Sequence, residues 1–268
     1  MELFPRQYRG RVYGAAPEVN VSLCNTADGT APSGKIRFVK LLALESSTDL
    51  FSAALLLDGR IVEREGARGV SHSEIALPLV QALLDEHGVT LAGLEGIAFG
   101  AGPGAFTGLR LATSVAQGLA VGAGLPVLGI GSLDALALGV GDGPVYACTD
   151  ARMNEAYCAA YRVHGDSVET VIAPVVAAPS LAPVPPGQGW FGCGSGFAAY
   201  GDRLAARLGA SIGRIDAAAR PRAAALLRLA APRFARGEGV DAALAAPLYV
   251  RDKIALTTQE RLAAGGNK

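Results

Sequence analysis

From Val39 onward the chain alternates short apolar runs with longer stretches of helical spacing. Residues 39–45 are almost continuously apolar up to Glu45, as a buried strand requires, and Ser46-Ser47-Thr48-Asp49 follows as a hydroxyl-rich turn. Residues 51–57 predict a second strand, Asp58-Gly59 a tight turn, and residues 60–65 a third, alternating strand. Residues 71–87 then take helical spacing. Ser71 with Glu74 three positions on predicts a capping box. The apolar residues of this helix leave only Glu74, Pro78, Gln81 and Asp85 as a narrow non-apolar strip. A surface helix needs an apolar stripe of only about 100°, so this one is expected to be covered on two sides, by its own domain or by a partner. After Ile97-Ala98-Phe99 comes the glycine-rich stretch 100–110, opening into a helix over 106–122. Gly108, Ala112, Ala116 and Ala120 form a ridge of small residues on it, which permits close helix approach. Residues 125–130 predict a strand, and Ser132 is expected to cap a short helix rich in Ala and Leu.

A break at residues 139–144 follows, and the pattern begins again. A strand over 145–149 ends in Asp150-Ala151-Arg152; residues 155–163 alternate; residues 167–176 supply a third strand. A Pro-rich connector over 178–189 leads to Gly192-Cys193-Gly194-Ser195-Gly196, then to helices over 200–208 and 221–236 and an extended stretch, 247–251. Two halves that each open with three strands predict an α/β chain on the duplicated plan of actin, Hsp70 and the sugar kinases. Each of its two lobes is then a mixed sheet with flanking helices, one over 38–140 and the other over 141–268 with a frayed tail. Residues 1–37 carry neither period and are read as a disordered extension or an over-extended start.

Composition narrows the chemistry. Half of the 268 residues are hydrophobic, and Lys+Arg and Asp+Glu both number 24. A formal charge of zero argues against a stand-alone nucleic-acid binder, which needs a basic footprint. Cys24, Cys148, Cys158 and Cys193 show no C-x-x-C and no clustered histidine, so a zinc site is disfavoured and reduced thiols in the cytoplasm are expected. No long uninterrupted apolar stretch predicts a membrane span.

The glycine-rich turn before a helix has the form of an anion cradle, since glycine tolerates close approach and helix N-termini present unpaired N–H groups. The dinucleotide reading fails because no acid lies between Glu95 and Asp134, and the P-loop reading because no lysine lies between Lys40 and Lys253. Asp150 at a strand end could position Mg²⁺ or act as a base, or could simply pair with Arg152. Glu45, followed by Ser46 to Thr48, holds the corresponding place in the first half.

Four motifs in order now carry a resemblance: residues 42–48, residues 100–110, residues 150–157, and Pro247-Leu248-Tyr249-Val250-Arg251. Together they resemble the TsaB (YeaZ) family across residues 39 to about 254. The resemblance implies an actin/Hsp70-like fold and a part in forming threonylcarbamoyladenosine beside the anticodon of tRNAs that read codons beginning with A. It implies a non-catalytic scaffold, because the transferase is the paralogue TsaD, which carries H-x-x-x-H for its metal. In matching order those histidines fall on Ser132 and Leu136, and Leu136 cannot coordinate a metal. The implied partners are TsaD, TsaE and a second copy of the chain, with tRNA reached only through the complex. Ile75, Leu79, Val80, Leu83, Gly108, Ala112, Ala116 and Ala120 are the expected interface on the two first-lobe helices. No cofactor is expected in the chain alone; ATP with Mg²⁺ at a shared interface would meet Glu45, Ser46, Thr48, Asp150, Arg152, Gly192 and Gly194. The alternative is an ATP-dependent phosphotransferase or ATPase of the same fold, using Glu45, Asp150 and the 192–196 turn.

Overall fold

The computed structural model describes residues 19–20, 39–67 and 69–250. The expectations for the tail and, apart from Val19 and Asn20, for the extension lie outside the described residues. Two sheets form the frame. The first is built from β1 (Val19–Asn20), β2 (Leu41–Glu45), β3 (Ser52–Leu57), β4 (Arg60–Glu65), β5 (Gly96–Gly102) and β6 (Val127–Gly131), in the order β1-β4-β3-β2-β5-β6. Strands β2, β3 and β4 pair antiparallel, and β5 and β6 add in parallel. The second contains β7 (Gly143–Arg152), β8 (Glu155–His164), β9 (Ser167–Ala177), β10 (Trp190–Cys193) and β11 (Ile212–Asp216), in the order β11-β10-β7-β8-β9. Strands β7, β8 and β9 are antiparallel, and β10 and β11 add in parallel. Without the short β1, the two orders are the same, and the duplicated actin/Hsp70-like plan is present.

The continuous apolar run of β2 is explained by burial on both faces. Leu41 and Ala43 point between the two sheets, while Leu42 and Leu44 point to the outer side. Helices α1 (His72–Glu86) and α2 (Phe106–Ala123) cover that outer side. Helix α4 (Ser195–Leu208) covers the outer side of the second sheet. Between the sheets lie α3 (Ser132–Gly139) and α5 (Ala223–Ala235), sharing one core with residues of both. Helix α5 belongs to the second half of the chain but packs on β2, β3 and β5 of the first sheet. Two unlike halves are thereby joined through apolar contact.

Several local expectations change. The eight residues assigned to a partner surface are all buried within this chain, Ile75, Leu79, Val80 and Leu83 on α1 and Gly108, Ala112, Ala116 and Ala120 on α2. They face their own lobe: Ala112, Ala116 and Ala120 share a core with β5, and Gly108 lies against the Ser46 carbonyl. Within this chain helix α1 is covered on one side only, since Leu77 on the other is 40% exposed. The capping box is not formed, since Ser71 makes no side-chain cap bond and pairs instead with Ser73. Ser132 is the first residue of α3 rather than its cap, which is Gly131. Helix α4 begins at Ser195, five residues before its expected start, and departs from helical geometry at Tyr200. Strand β11 carries no apolar alternation and is mostly exposed, so periodicity gave no sign of it.

Candidate functional site

The two lobes meet at a cleft of about 790 Å³. Its walls are the 47–49 turn, the start of α2 with the preceding residues from Pro103, the end of β7 from Thr149 to Arg152, the first turn of α4, and Leu248–Val250.

Around the cleft the glycine-rich stretch lies against its own chain. A Cβ on Gly100 would stand 2.1 Å from Glu45 Oε2, one on Gly104 2.5 Å from Ser47 Cβ, and one on Gly108 1.9 Å from the Ser46 carbonyl oxygen. Ala105 N–H donates to the Ser47 carbonyl at 2.8 Å. Gly102, at φ 110°, lies against Leu248, whose N–H donates to the Ala101 carbonyl at 2.7 Å. The glycines therefore admit a neighbouring turn and the C-terminal segment. On their Cβ sides Gly104 and Gly108 are closed by the backbone of residues 46 and 47, while Gly104 also lines the cleft.

Glu45 lies outside the cleft lining and is fully buried. Burial raises its carboxyl above the usual range, against the lowering effect of hydrogen bonds from Ser47 and Ser132. Ser132 Oγ donates to Glu45 Oε2 at 3.1 Å, so the hydroxyl at the first of the paralogue's ligand positions serves an internal contact. At the second, Leu136 is fully buried, and its Cδ2 lies 3.0 Å from where a Cβ on Gly194 would be. Ser46 is also buried and bonds His72 Nδ1 at 2.9 Å.

Asp150 is engaged on every side. Tyr200 Oη donates to its Oδ1 at 2.6 Å, the Arg152 N–H donates to the same oxygen at 2.8 Å, and the Arg152 guanidinium stands 3.2 Å from Oδ2. Burial, then the bond to Asp150, pushes the Tyr200 hydroxyl up to about 12. Gly192 and Gly194 do not face the cleft. A Cβ on Gly192 would strike the Phe197 ring at 2.7 Å, and one on Gly194 the Cys148 carbonyl at 2.4 Å. Of the seven candidate nucleotide contacts, Thr48, Asp150 and Arg152 gather at the cleft, and Glu45, Ser46, Gly192 and Gly194 do not.

Sequence reasoning missed other residues of the cleft. Asp49 and Arg220 approach across it at 3.5 Å, one from each half of the chain. Phe106 and Tyr249 pack with ring centres 5.9 Å apart at its edge, with Arg110 over Phe106 and bonded to the Tyr249 hydroxyl. These links join the second and fourth motifs of the sequence, and only folding reveals that they touch. The Thr149 hydroxyl is buried in the cleft wall and has no hydrogen-bond partner among the described residues.

With the geometry in place, comparison with known proteins decides the family. The TsaB protein of Escherichia coli (strain K12) is 34% identical over 230 residues, covering 81% of this chain and 96% of that one. The chain belongs to the TsaB family. The corresponding TsaB protein of Haemophilus influenzae is 33% identical over 228 residues, covering 80% of this chain and 94% of its own length. The solved structure of YeaZ from Pseudomonas aeruginosa shares 39% identity at a TM-score of 0.72, covering 79% of this chain and 99% of that one. A family model described as TsaD, tRNA N6-adenosine threonylcarbamoyltransferase, matches residues 67–258. The TsaB relatives are matched over nearly their whole length, and Ser132 and Leu136 stand where the transferase resemblance puts histidines.

Proposed function

We propose that this TsaB-family chain works in tRNA threonylcarbamoyladenosine biosynthesis as a non-catalytic subunit that binds the transferase TsaD. The near-complete match to proteins named for that pathway supports the pathway assignment. The observation that carries the scaffold reading is the pair at the transferase's histidine positions: Ser132 bonds to buried Glu45, and Leu136 is fully buried and apolar. TsaE and a second copy of the chain are further partners in this proposal, and tRNA is reached through the assembly.

The partner surface is placed on the outward sides of α1 and α2, since their inward sides are spent on the core. There Val121 is 68% exposed, Leu77 is 40% exposed, and no described residue lies within 4 Å of a Cβ added at Gly118 or Gly122. An exposed group of apolar and small residues of this kind suits association. Any ATP and Mg²⁺ required by the pathway is assigned to an interface shared with the partner. Reconstitution on tRNA tests the proposal: the chain alone should modify nothing, and adding TsaD, TsaE and a supply of threonylcarbamoyl-adenylate should give modified nucleoside. Modification by the chain alone, or undiminished modification when it is left out, would refute the scaffold role.

A further inference from the structure

Cys148 on β7 and Cys158 on β8 stand directly opposite each other in the antiparallel ladder. Their side chains share the face covered by α4, and their sulfurs are 3.6 Å apart. Cys193 provides an internal contrast. It is equally buried, but it faces the core between the sheets, on the other side of its sheet. We propose that Cys148 and Cys158 are a built dithiol that peroxide oxidises to a cross-strand disulfide.

Opposed Cβ atoms of adjacent strands lie about 4.5–5.5 Å apart, and a disulfide needs about 3.5–4.5 Å. Closure therefore asks for a shift of about 1 Å, shared between two strands that are already paired. The two thiols also differ. Cys148 hydrogen-bonds to the Cys158 sulfur, which lowers Cys158 and raises Cys148. Cys158 is thus the attacking sulfur. Its thiolate displaces hydroxide from hydrogen peroxide, which leaves as water after protonation, and becomes a sulfenic acid. The Cys148 sulfur then attacks the sulfenic sulfur, its proton leaves with the hydroxyl as a second water, and the S–S bond forms. Two thiols have lost two electrons and one peroxide has gained them.

Burial selects the oxidant. The cleft reaches Thr149, next to Cys148, and Ser195 in the first turn of α4. Between cleft and sulfur lies Gly196, where an added Cβ would come within 2.4 Å of Cys148 Sγ. An oxidant of water size is the kind that a small opening of α4 can admit. The bond would enclose the hairpin tip at residues 149–157. Within it Arg152, Met153 and Asn154 are held at positive φ of 61°, 53° and 60°. Clamping the base of that tip fixes one wall of the cleft.

The test is to treat the full chain with hydrogen peroxide, alkylate remaining thiols in denaturant, and digest with trypsin without reductant. Cleavage after Arg152 separates the two cysteines, so fragment 111–152 should appear joined to fragment 153–162, two hydrogens lighter than their sum. Cys193 should be recovered alkylated, the thermal midpoint should rise by about 5 °C, and dithiothreitol should reverse both changes. Recovery of Cys148 and Cys158 as alkylated thiols, or linkage of either to Cys24 or Cys193, would overturn the proposal. In Cys148→Ser, peroxide treatment followed by denaturation in dimedone, which the folded core excludes, should leave Cys158 labelled as its sulfenic acid; an unlabelled Cys158 would overturn its assignment as the attacking sulfur. Should that variant not fold, mapping of the unaltered chain decides alone.

Discussion

A glycine inside a helix normally weakens it by about 1 kcal/mol relative to alanine. Gly108 and Gly118 lie on the same helix, α2, and should answer that rule with opposite signs. At Gly118 no described residue lies within 4 Å of an added Cβ, so Gly118→Ala should raise stability by up to about 1 kcal/mol. At Gly108 the added carbon would lie 1.9 Å from the Ser46 carbonyl oxygen, and backbone cannot yield as a flexible side chain can. Gly108→Ala should cost about 1–3 kcal/mol or more despite better helix propensity. Urea denaturation of the two variants compares them directly; stabilisation by both would show that α2 does not lie against the 46–47 turn. Glu45 gives a second residue-scale prediction. Its carboxyl is raised above 4.5 by burial, so the ionised form is the one the fold disfavours. Its contribution to stability is fully present below the unfolded value and is lost as pH rises through the folded one. The urea midpoint should therefore fall as pH rises above 4.5, and Glu45→Gln should flatten the fall. Some slope should persist, because Glu63 and Asp134 are raised by burial in the same sense.

At the scale of elements, the docking of α5 on the first sheet depends on polar groups at its N-terminus. Glu63, on β4 and almost fully buried, accepts from the Ala224 N–H at 3.0 Å and meets the Arg222 guanidinium at 2.8 Å. Ser52 Oγ accepts from the Ala223 N–H at 3.0 Å. A carboxylate and a hydroxyl from another part of the chain thus satisfy the donors that a helix leaves unpaired at its start. Glu63→Ala should cost about 2 kcal/mol, less than for a fully enclosed pair, because Arg222 is 38% exposed and keeps Glu65 as a partner at 2.9 Å. Calorimetry checks this; an unchanged midpoint would mean that apolar contact alone seats the helix. Such contacts mark how far the sequence was legible. The strands β2 to β6 and β7 to β9 and the helices α1, α2, α3 and α5 announce themselves in the apolar pattern, because each buries a regular face. Strand β11 does not, because only its backbone takes part in the sheet. The roles of Glu63, Ser52 and Arg220 depend on neighbours more than a hundred positions away, and no local pattern encodes them. The small ridge of α2 was visible as a ridge, but its direction was not: small residues permit approach by any surface, and here the chain's own sheet takes it.

For the whole molecule, the interlobe cleft and the exposed helix faces make separable predictions about binding. Val121→Glu places a charge on a side chain that is 68% exposed, so the folded chain should keep its thermal midpoint within about 1 °C. If the outward side of α2 meets a partner, that charge would be desolvated in the complex, and co-purification with TsaD or self-association should weaken by tenfold or more. Retained binding with an intact fold would remove α2 from the interface. Nucleotide binding is measured separately. Isothermal titration of the chain alone with Mg-ATP should give no binding heat, because Glu45, Gly192 and Gly194 lie outside the cleft and Asp150 is already paired with Arg152 and Tyr200. Micromolar binding by the isolated chain would instead favour the phosphotransferase reading. Asp150→Asn then tells two sites apart. Loss of that binding would place the nucleotide in the interlobe cleft beside Asp150, whereas retention would place it on another surface. Running both titrations on the chain with and without TsaD shows whether the nucleotide belongs to this subunit or to the boundary between the two.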